Sequence, residues 1–404
     1  MKIKVGFLWH NVSSGNLGVG ALSISNMYLV KKCLDELNLD YEFITIGDNE
    51  VTDKDNIKLV EDQIDVKFSH YSFSVKELIK KPKKMISYHK LIRSLDLVFD
   101  VGAGDSFSDI YGFKRFFVQI FTKIHAVSFA KKTILSPQTI GPFYTKKAEF
   151  IAKYILKKAD YVFARDQLSY NEGCRIVNID NFILSTDVAL IMPFEKNKSI
   201  NSEYINIGIN ISGLLWSGGY HGLNDFGLNH SYKEHVKCVI DKFLDIDNTR
   251  IYLVSHVIAT IKAAEIEDDY LAANEIKNKY YSSDDRVILI DKFTNPIIAK
   301  SFISGMDFFT GARMHATIGA FSSNVPVVPY AYSRKFAGLY NTIGYDVVLD
   351  AKQLNLNDSV DYVFQNFEKR DELAKKILES KVKLNELSSK YTNSIKAILN
   401  SYEY

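Results

Sequence analysis

Several cationic and imidazole side chains follow short apolar runs in the second half of the sequence. The stretch FFTGARMHATIGAF contains Gly311, Arg313 and His315, and the later stretch YAYSRKFAG contains Arg334 and Lys335. An arginine guanidinium is a planar fork that suits a carboxylate or a phosphate, and histidine readily exchanges a proton near neutral pH. Gly311 is expected to permit a sharp turn from a buried strand into a helix. We therefore predict a binding site for a small anion in this region.

A further arginine follows an apolar run in the first half of the sequence. In VFARDQLS, Asp166 precedes a segment with helical pattern and is the expected N-cap of that helix. Arg165 is then left to face a ligand crevice and to add a fourth strand-end cation. An ordinary surface ion pair between Arg165 and Asp166 is the alternative.

Glycines and carboxylates follow two other apolar runs. HNVSSGNLGVGALS contains Asn16 and Gly18, and VGAGDSFSDIYG contains Gly104, Asp105 and Asp109. Glycine lets the backbone approach a ligand, and carboxylates accept hydrogen bonds from sugar hydroxyls. We predict acceptor-binding residues here, with a tight turn and helix-capping aspartates as the alternative.

The segment SGLLWSGGYHGLND brings Trp216 and His221 to the start of the second half. The face of a tryptophan ring is a common platform for a sugar, so both residues are further candidates for acceptor binding. A buried tryptophan that only packs in the core is the alternative.

The elements that must position these residues are short apolar runs alternating with segments of helical period, which indicates strand-helix-strand units and parallel sheets. Six strands are predicted in the first half: KVGFLW, YEFITI, LDLVFDVG, TILS, YVFAR and FILST. Six more are predicted in the second half: INIGINIS, RIYLVSH, RVILID, DFFTG, PVVPYA and YDVVLD. In open parallel sheets, ligands bind beyond the carboxyl ends of the strands, where the candidate residues lie.

Two domains are predicted, with the polar segment NKSINSE, residues 197–203, as their linker. The expected fold is α/β, with two Rossmann-like domains at 1–196 and 203–368 whose parallel sheets face a central cleft. Apolar residues at near-helical spacing predict a final amphipathic helix in 369–404 that packs across the domains.

Composition excludes several classes of protein. The 404 residues include 50 Lys and Arg against 48 Asp and Glu, which does not indicate a nucleic-acid partner. The three dispersed cysteines argue against disulfides and a zinc site and favour a reducing cytoplasm. Without 18 consecutive apolar residues no transmembrane segment is expected, although peripheral association with the inner face of a membrane stays open.

Taken together, these motifs resemble the polysaccharide pyruvyl transferase family. The resemblance rests on the first glycine-rich loop, VGAGDSFSD and SPQTIGP, and above all on ARDQLS, ARMHATIGAF and YAYSRK in that order. It implies a GT-B-like architecture. It also implies transfer of a pyruvyl group from phosphoenolpyruvate onto a sugar, as a ketal, for a surface polysaccharide such as exopolysaccharide or capsule, or for its precursor, including a lipid-linked one.

By this resemblance, the first domain is the acceptor side and contributes Arg165, while the second holds the donor. His315, Arg165 and Lys335 correspond to the positions that hold and activate phosphoenolpyruvate, with Arg313 and Gly311 as further donor-binding residues. His315 is expected to transfer a proton and the cations to clamp the donor's charges. Neither a metal nor a cofactor is expected.

Two departures from the family pattern concern the acceptor. Val19 stands where relatives commonly have Asp, and Ser212 stands where many have Arg. A non-catalytic saccharide-binding relative is therefore one alternative, although the retained cations argue against it.

A GT-B glycosyltransferase that uses a nucleotide sugar is the second alternative. Retaining enzymes of that kind have two glutamates ahead of a G-x-P step. Aligning this step on Asn324 to Pro326 leaves Gly311 and Gly319 at the two positions. The carboxylate expected to bind a ribose is therefore missing.

Overall fold

The computed structural model describes residues 2–47, 53–110, 112–200 and 202–401. Its strands are β1 Ile3–Leu8, β2 Tyr41–Gly47, β3 Phe68–Ser72, β4 Leu97–Asp100, β5 Lys132–Gln138, β6 Tyr161–Ala164, β7 Phe182–Leu184, β8 Ile205–Asn210, β9 Thr249–Val254, β10 Val287–Leu289, β11 Phe308–Gly311, β12 Val327–Ala331 and β13 Leu349–Asp350. The strands alternate with helices along the chain, as the apolar pattern predicts.

The helices are α1 Leu17–Glu36, α2 Lys54–Ile64, α3 Val75–Lys80, α4 Pro82–Ser94, α5 Phe113–Phe129, α6 Lys146–Lys158, α7 Gln167–Ile176, α8 Gly213–Trp216, α9 Tyr232–Leu244, α10 Asp269–Tyr280, α11 Pro296–Ile303, α12 Met314–Ser322, α13 Arg334–Thr342, α14 Leu356–Glu368 and α15 Arg370–Asn400. Two short 3₁₀ helices occupy Val188–Ile191 and Lys262–Glu267. Side-chain N-caps begin several helices; Thr145, for example, accepts a hydrogen bond from the Ala148 amide in α6.

Each half of the fold contains one parallel sheet in doubly wound order. The first sheet runs β3-β2-β1-β4-β5-β6-β7, and the second runs β10-β9-β8-β11-β12-β13. In both sheets, the direction of the strand order reverses next to the first strand of that sheet. The reversal lies between β1 and β4 in the first sheet and between β8 and β11 in the second. Ligands of such sheets bind where the order reverses, so the loops after these strands are the places to examine.

All twelve predicted strands are confirmed, and one further strand was not predicted. The missed strand, β3, has the sequence FSHYS at the edge of the first sheet, and none of its residues is fully buried. An edge strand needs little apolar character because one side faces solvent, so its sequence lacks the apolar run that marks a strand.

The chain divides into two compact units that are not continuous in sequence. The first unit comprises 1–13, 22–192 and 384–404, and the second comprises 14–21 and 193–383. The predicted linker at 197–203 thus lies close to the observed boundary between residues 192 and 193. Two short segments depart from the prediction, because residues 14–21 belong to the second unit and residues 384–404 belong to the first. Residues 14–21 join the second unit because Asn16 forms a β-bridge with Val257.

The predicted C-terminal helix corresponds to α15, while residues 402–404 of the predicted segment lie outside the described residues. Its apolar positions Leu373, Ile377, Leu384, Leu387 and Tyr391 are buried, as their spacing predicts. Within 2–47, 53–110, 112–200 and 202–401, no helix is both long and apolar enough to cross a membrane.

Candidate functional site

The centre of the second sheet is built by β8 and β11, which pair in parallel with Gly311 opposite Asn210. The expected turn from strand into helix follows Gly311 directly, because the chain bends at Ala312 and α12 begins at Met314, but it does not require a left-handed glycine. Gly311 ends the strand, and its φ lies outside the left-handed range. Its missing side chain serves close packing instead, because a Cβ there would lie 2.6 Å from the Asn210 Cβ. This contact fixes where the next residues leave the sheet.

Arg313 leaves the end of β11 and binds a buried carboxylate rather than open space. Its Nε donates to Asp269 Oδ1 at 3.0 Å, and its Nη2 donates to the same oxygen at 2.9 Å and to the Glu267 carbonyl at 2.7 Å. The Arg313 amide also donates to Asn210 Oδ1 at 2.8 Å. The predicted donor-binding cation is therefore already neutralised within the fold.

Asp269 was not singled out from the sequence, yet it joins three segments of the second unit. Besides Arg313, its carboxylate accepts hydrogen bonds from the amides of Gly213, His256 and Val257 at 2.9 to 3.1 Å. It is fully buried. The signal in the sequence was a pair of aspartates, Asp268 and Asp269, at the start of a helix, where Asp268 is the N-cap. Asp269 thereby fixes the loops after β8, β9 and β11.

His315 lies on the first turn of α12, and its ring packs against the first turn of α1. A Cβ at Gly18 would overlap this ring, lying 2.8 Å from the His315 Cγ and 3.1 Å from Asn16 Oδ1. Asn16 Oδ1 itself accepts a hydrogen bond from the Gly18 amide at 3.0 Å. Two predicted acceptor residues, Asn16 and Gly18, are therefore neighbours of the predicted proton-transfer residue.

His256 is a second imidazole beside this group. Burial, with smaller contributions from the neighbouring His315 and Arg313, lowers the pKa of His256 to about 3. Its backbone is held at both ends, because the amide donates to Asp269 and the carbonyl accepts from the Leu17 amide at 3.0 Å. His256 is thus a neutral group that packs behind the first turn of α1.

Lys335 lies on the first turn of α13, which follows β12, the strand paired with β11. The α12 and α13 helices are tied together by a hydrogen bond from the Tyr340 hydroxyl to Thr317 Oγ1 at 2.9 Å. At the N-termini of both helices, the cap residues Arg313 and Ser333 make no side-chain capping hydrogen bond. The two N-termini, carrying His315 and Lys335, therefore begin at the same edge of the second sheet.

The first unit holds Arg165 at the end of β6, where it is 2 % exposed. Its Nη1 donates to Asp187 Oδ2 at 3.2 Å, and its Nε lies 3.8 Å from Asp166 Oδ2. Asp166 is the N-cap of α7, as predicted, and accepts from the Ser169 amide at 2.7 Å. The Nε has no hydrogen-bond partner among the residues that the structure describes. This buried guanidinium therefore keeps hydrogen-bonding capacity.

The loop after β4 brings Gly104 close to Arg165. Gly102, Ala103 and Gly104 all have positive φ, at 55°, 49° and 86°. A side chain on Gly104 would lie 3.5 Å from Arg165 Nη1 and 2.6 Å from Leu22 Cδ1. Ala103 adopts a left-handed conformation, which is energetically unfavourable and uncommon for a residue with a Cβ. Such a residue indicates a constrained loop.

A buried ion pair supports this loop from below. Lys123 Nζ donates to Asp100 Oδ1 at 2.7 Å, and the same oxygen accepts from the Gly102 amide at 2.7 Å. Burial lowers the pKa of Lys123, while Asp100 opposes that shift. The pair holds the backbone that presents Asp105, whose side chain is 23 % exposed and lies 3.8 Å from Arg115.

Asp109 has a structural role in this loop. Its oxygens accept hydrogen bonds from the amides of Tyr144 and Thr145 and from the Thr145 hydroxyl, at 2.8 to 2.9 Å. The alternative of helix-capping aspartates is also wrong, since α5 begins only at Phe113, after Gly112. Asp109 thus clamps the start of the segment that leads into α6.

The other two acceptor candidates differ in exposure. Trp216 is 4 % exposed, and its Nε1 donates to Glu275 at 2.9 Å, so its ring packs inside the second unit. His221 lies on an exposed loop, where its Nδ1 is 3.0 Å from Asp225. The buried-tryptophan alternative therefore describes Trp216 in this structure.

Ser212, one of the two departures from the family pattern, is a helix cap. Its hydroxyl accepts from the Leu215 amide at 3.4 Å, and its own amide donates to the Tyr232 hydroxyl at 3.0 Å. It is fully buried. The replacement of the family's common arginine by Ser212 is thus accommodated by a short helix, α8, that begins at once.

Solved structures with a similar fold include UDP-N-acetylglucosamine 2-epimerases. A Listeria monocytogenes protein assigned as a UDP-N-acetylglucosamine 2-epimerase has a TM-score of 0.64 at 11% identity, with 100% of this chain and 98% of that chain covered. S. aureus MnaA, solved with UDP, has a TM-score of 0.62 at 12% identity, with coverages of 100% and 98%. The Neisseria meningitidis UDP-GlcNAc 2-epimerase has a TM-score of 0.57 at 12% identity, with coverages of 96% and 100%. The GT-B-like α/β fold of two Rossmann-like domains is thus confirmed.

Sequence comparison gives the family. No curated protein matches the chain in sequence. The family model for polysaccharide pyruvyl transferase matches residues 16–334, a range that begins at Asn16 and includes Arg165, Arg313 and His315. This range is well over half of the 404 residues. The chain therefore belongs to the polysaccharide pyruvyl transferase family.

Proposed function

We propose that this protein transfers a pyruvyl group from phosphoenolpyruvate to a saccharide, forming a ketal and releasing phosphate. The observation that carries the proposal is the position of His315 and Lys335 on the first turns of two helices that follow paired strands. A helix N-terminus favours an anion, and the ammonium of Lys335 adds a full positive charge. Family membership supplies the reaction class.

The proposed reaction needs one proton donor and one proton acceptor. Protonation of the methylene carbon of phosphoenolpyruvate makes its neighbour electrophilic, and a sugar hydroxyl attacks this carbon and loses its proton. The bond to phosphate then breaks, with the electron pair leaving on the phosphate oxygen, and a second hydroxyl attacks the same carbon to close the ketal while its proton passes to the departing phosphate. We assign one proton transfer to His315, because an imidazole can serve as acid or base near neutral pH.

The two arginines take different parts in this proposal. Arg165 keeps an Nε donor without a hydrogen-bond partner among the described residues, so it retains capacity for an anionic group. Arg313 donates through Nε and Nη2 to Asp269 and the Glu267 carbonyl, so we assign it the positioning of the α12 N-terminus rather than donor binding. Asp105 and Asn16 remain acceptor candidates.

The nucleotide-sugar alternative has one point against it in the structure. Of the two positions where a retaining glycosyltransferase carries glutamates, Gly311 leaves no room for a side chain beside Asn210. Gly319 has ordinary space around it. The epimerase structures share the fold at 11 to 12% identity, and a shared fold does not determine the ligand.

Thermal unfolding with different ligands tests the proposal. Phosphoenolpyruvate should raise the melting temperature, whereas UDP should not, because a ligand stabilises only the state that binds it. Lys335→Ala should weaken the shift, while Lys352→Ala, an exposed lysine after β13, should keep it. Stabilisation by UDP alone would favour the glycosyltransferase, and by neither ligand the saccharide-binding relative.

Turnover then tests the role of His315. His315→Ala should lower phosphoenolpyruvate-dependent phosphate release, in the presence of a saccharide acceptor, by about 10²- to 10⁴-fold, the usual contribution of general acid-base catalysis. The melting temperature of the variant should match that of the unmodified protein. Retained turnover would remove His315 from the mechanism.

A further inference from the structure

Positive charge is concentrated in one helical layer of the first unit. Helices α3, α4, α5 and α6 contact one another in sequence along the sheet. Together they contain 14 Lys and Arg residues and only two acidic residues, Glu77 and Glu149. The whole chain, in contrast, has 50 basic and 48 acidic residues. The near-neutral total thus conceals a strongly basic surface, which we call the basic layer.

The charges of the basic layer face solvent. All of its basic residues except the buried Lys123 are exposed. Its two carboxylates are already paired, Glu77 with Lys81 and Glu149 with Arg175 at 2.7 Å. Neither acid is left to offset the remaining lysines, so the layer presents a positive field to its surroundings.

Large apolar side chains are also exposed on the same helices. They are Ile79 at 57%, Ile86 at 54%, Phe117 at 40%, Phe129 at 47%, Phe150 at 74% and Tyr154 at 41%. In α6 the exposed Phe150 and Tyr154 are one turn apart, whereas Ala148, Ala152 and Ile155 face the core. These helices therefore have an apolar face toward the sheet and additional apolar residues among their outward lysines.

We propose that the basic layer docks on the surface of an anionic lipid membrane. Lysines near an anionic bilayer gain electrostatic energy, and phenylalanine and isoleucine gain by entering the boundary between headgroups and acyl chains. A nucleic acid would satisfy the lysines but would leave Ile79 and Ile86 exposed to water. The combination of exposed excess positive charge with protruding aliphatic and aromatic residues favours lipid. This proposal does not rest on the proposed reaction.

Vesicle sedimentation with the full-length protein tests the proposal. The protein should sediment with phosphatidylglycerol-containing vesicles and much less with phosphatidylcholine vesicles, and added salt should weaken the binding. Lys83→Gln with Lys84→Gln should weaken binding by about 25-fold, at about fivefold for each lysine. Phe150→Ser with Ile86→Ser should weaken it by about tenfold or more. All variants should melt as the unmodified protein does.

A matched control lies in the second unit. Val382 is 73 % exposed, and Lys383 is its exposed neighbour, so Val382→Ser with Lys383→Gln changes one apolar and one basic residue outside the basic layer. This variant should bind vesicles as the unmodified protein does. Equal binding to both vesicle types, or unchanged binding by the basic-layer variants, would overturn the proposal. Binding to an oligonucleotide but not to vesicles would also overturn it and identify a nucleic-acid surface.

Discussion

Arg165 in the first unit and Arg313 in the second are both largely buried beside an aspartate, yet their hydrogen bonding differs. Arg313 makes four side-chain hydrogen bonds of 2.7 to 3.3 Å, and its partner Asp269 accepts further bonds from three backbone amides. Arg165 makes one side-chain hydrogen bond, at 3.2 Å, within the described part of the chain. Burial and a nearby carboxylate thus occur in both, but the Arg313 guanidinium makes more and shorter hydrogen bonds than the Arg165 guanidinium.

The difference teaches how to separate a structural arginine from a ligand-binding one. A buried polar group without a partner is costly, so it persists where something else offsets the cost, such as a bound ligand. An arginine that makes several short hydrogen bonds to a buried carboxylate is neutralised without a ligand. By this criterion Arg165 is suited to bind an anion, and Arg313 is suited to hold three loops together.

The largest expected effect concerns the Arg313 pair. Asp269→Asn should lower the free energy of unfolding by about 3–5 kcal/mol, because it leaves a buried guanidinium without its counter-charge. Urea denaturation measures this loss. The control, Asp361→Asn, breaks an exposed pair with Lys242 and should cost less than about 1 kcal/mol. Equal losses in the two variants would contradict a structural role for Arg313.

Removing Arg165 should weaken ligand binding, whereas removing Arg313 should not. Arg165→Met should weaken phosphoenolpyruvate binding by about 10- to 100-fold, as expected for the loss of a charged hydrogen bond. Isothermal titration calorimetry measures the affinity. Both Arg165→Met and Arg313→Met should lower the unfolding free energy, because each removes the cation of a buried ion pair, but only Arg165→Met should lower the affinity. Unchanged affinity in Arg165→Met would end the distinction between the two arginines.

Acid should destabilise both units through buried histidines. Burial lowers the pKa of His10 in the first unit and of His235 in the second to about 3. Below pH 6.5 the unfolded chain takes up a proton that the folded chain takes up only near pH 3, so stability falls as the pH falls. Each histidine should cost about 1.4 kcal/mol per pH unit between pH 6.5 and 4.

Single variants separate these contributions. His10 Nδ1 donates to the Leu8 carbonyl and its Nε2 accepts from Asn26, so glutamine can replace both functions without titrating. Urea denaturation at pH 7 and at pH 5 gives the free energy of unfolding at each pH. Between these two values, the unfolding free energy of His10→Gln should fall by about 2 kcal/mol less than that of the unmodified protein. An unchanged pH slope would show that His10 takes up its proton between pH 7 and 5 in the folded chain as it does in the unfolded chain.

The smallest expected effect concerns the fit of His315 against α1. Gly18→Ala should lower turnover by about tenfold, because a Cβ there would overlap the ring and shift it. Phosphate release measures the effect. Gly319→Ala in α12 is the control, since its nearest contact would be an ordinary 3.6 Å from Ile303. If both variants retain full turnover, the contact with Gly18 does not position His315.

Most strands could be predicted because many buried parallel strands contain a short run rich in apolar residues, as in LDLVFDVG and PVVPYA. The N-cap Asp166 was predictable too, because capping depends on residues within one turn. The edge strand β3 was not, since FSHYS has no apolar run. Local signals thus predicted the local features of the fold.

The network around the site could not be predicted because it joins segments far apart in sequence. Asp269 connects Gly213, His256 and Arg313, and nothing in the sequence places these loops together. Asp109 resembled a helix cap until the structure placed Thr145 beside it. Long-range partners decide whether a carboxylate is available to a ligand, and a single sequence does not list them.

The discontinuous first unit has a consequence for how the chain is made. Tyr391 in α15 donates a hydrogen bond to Asn26 Oδ1 at 2.6 Å and another to Ser136 at 3.0 Å, all within the core of that unit. A ribosome must therefore synthesise the entire second unit before the first can close its interior. Expression of residues 1–192 alone would leave this interior open, so the two halves are better studied in one polypeptide.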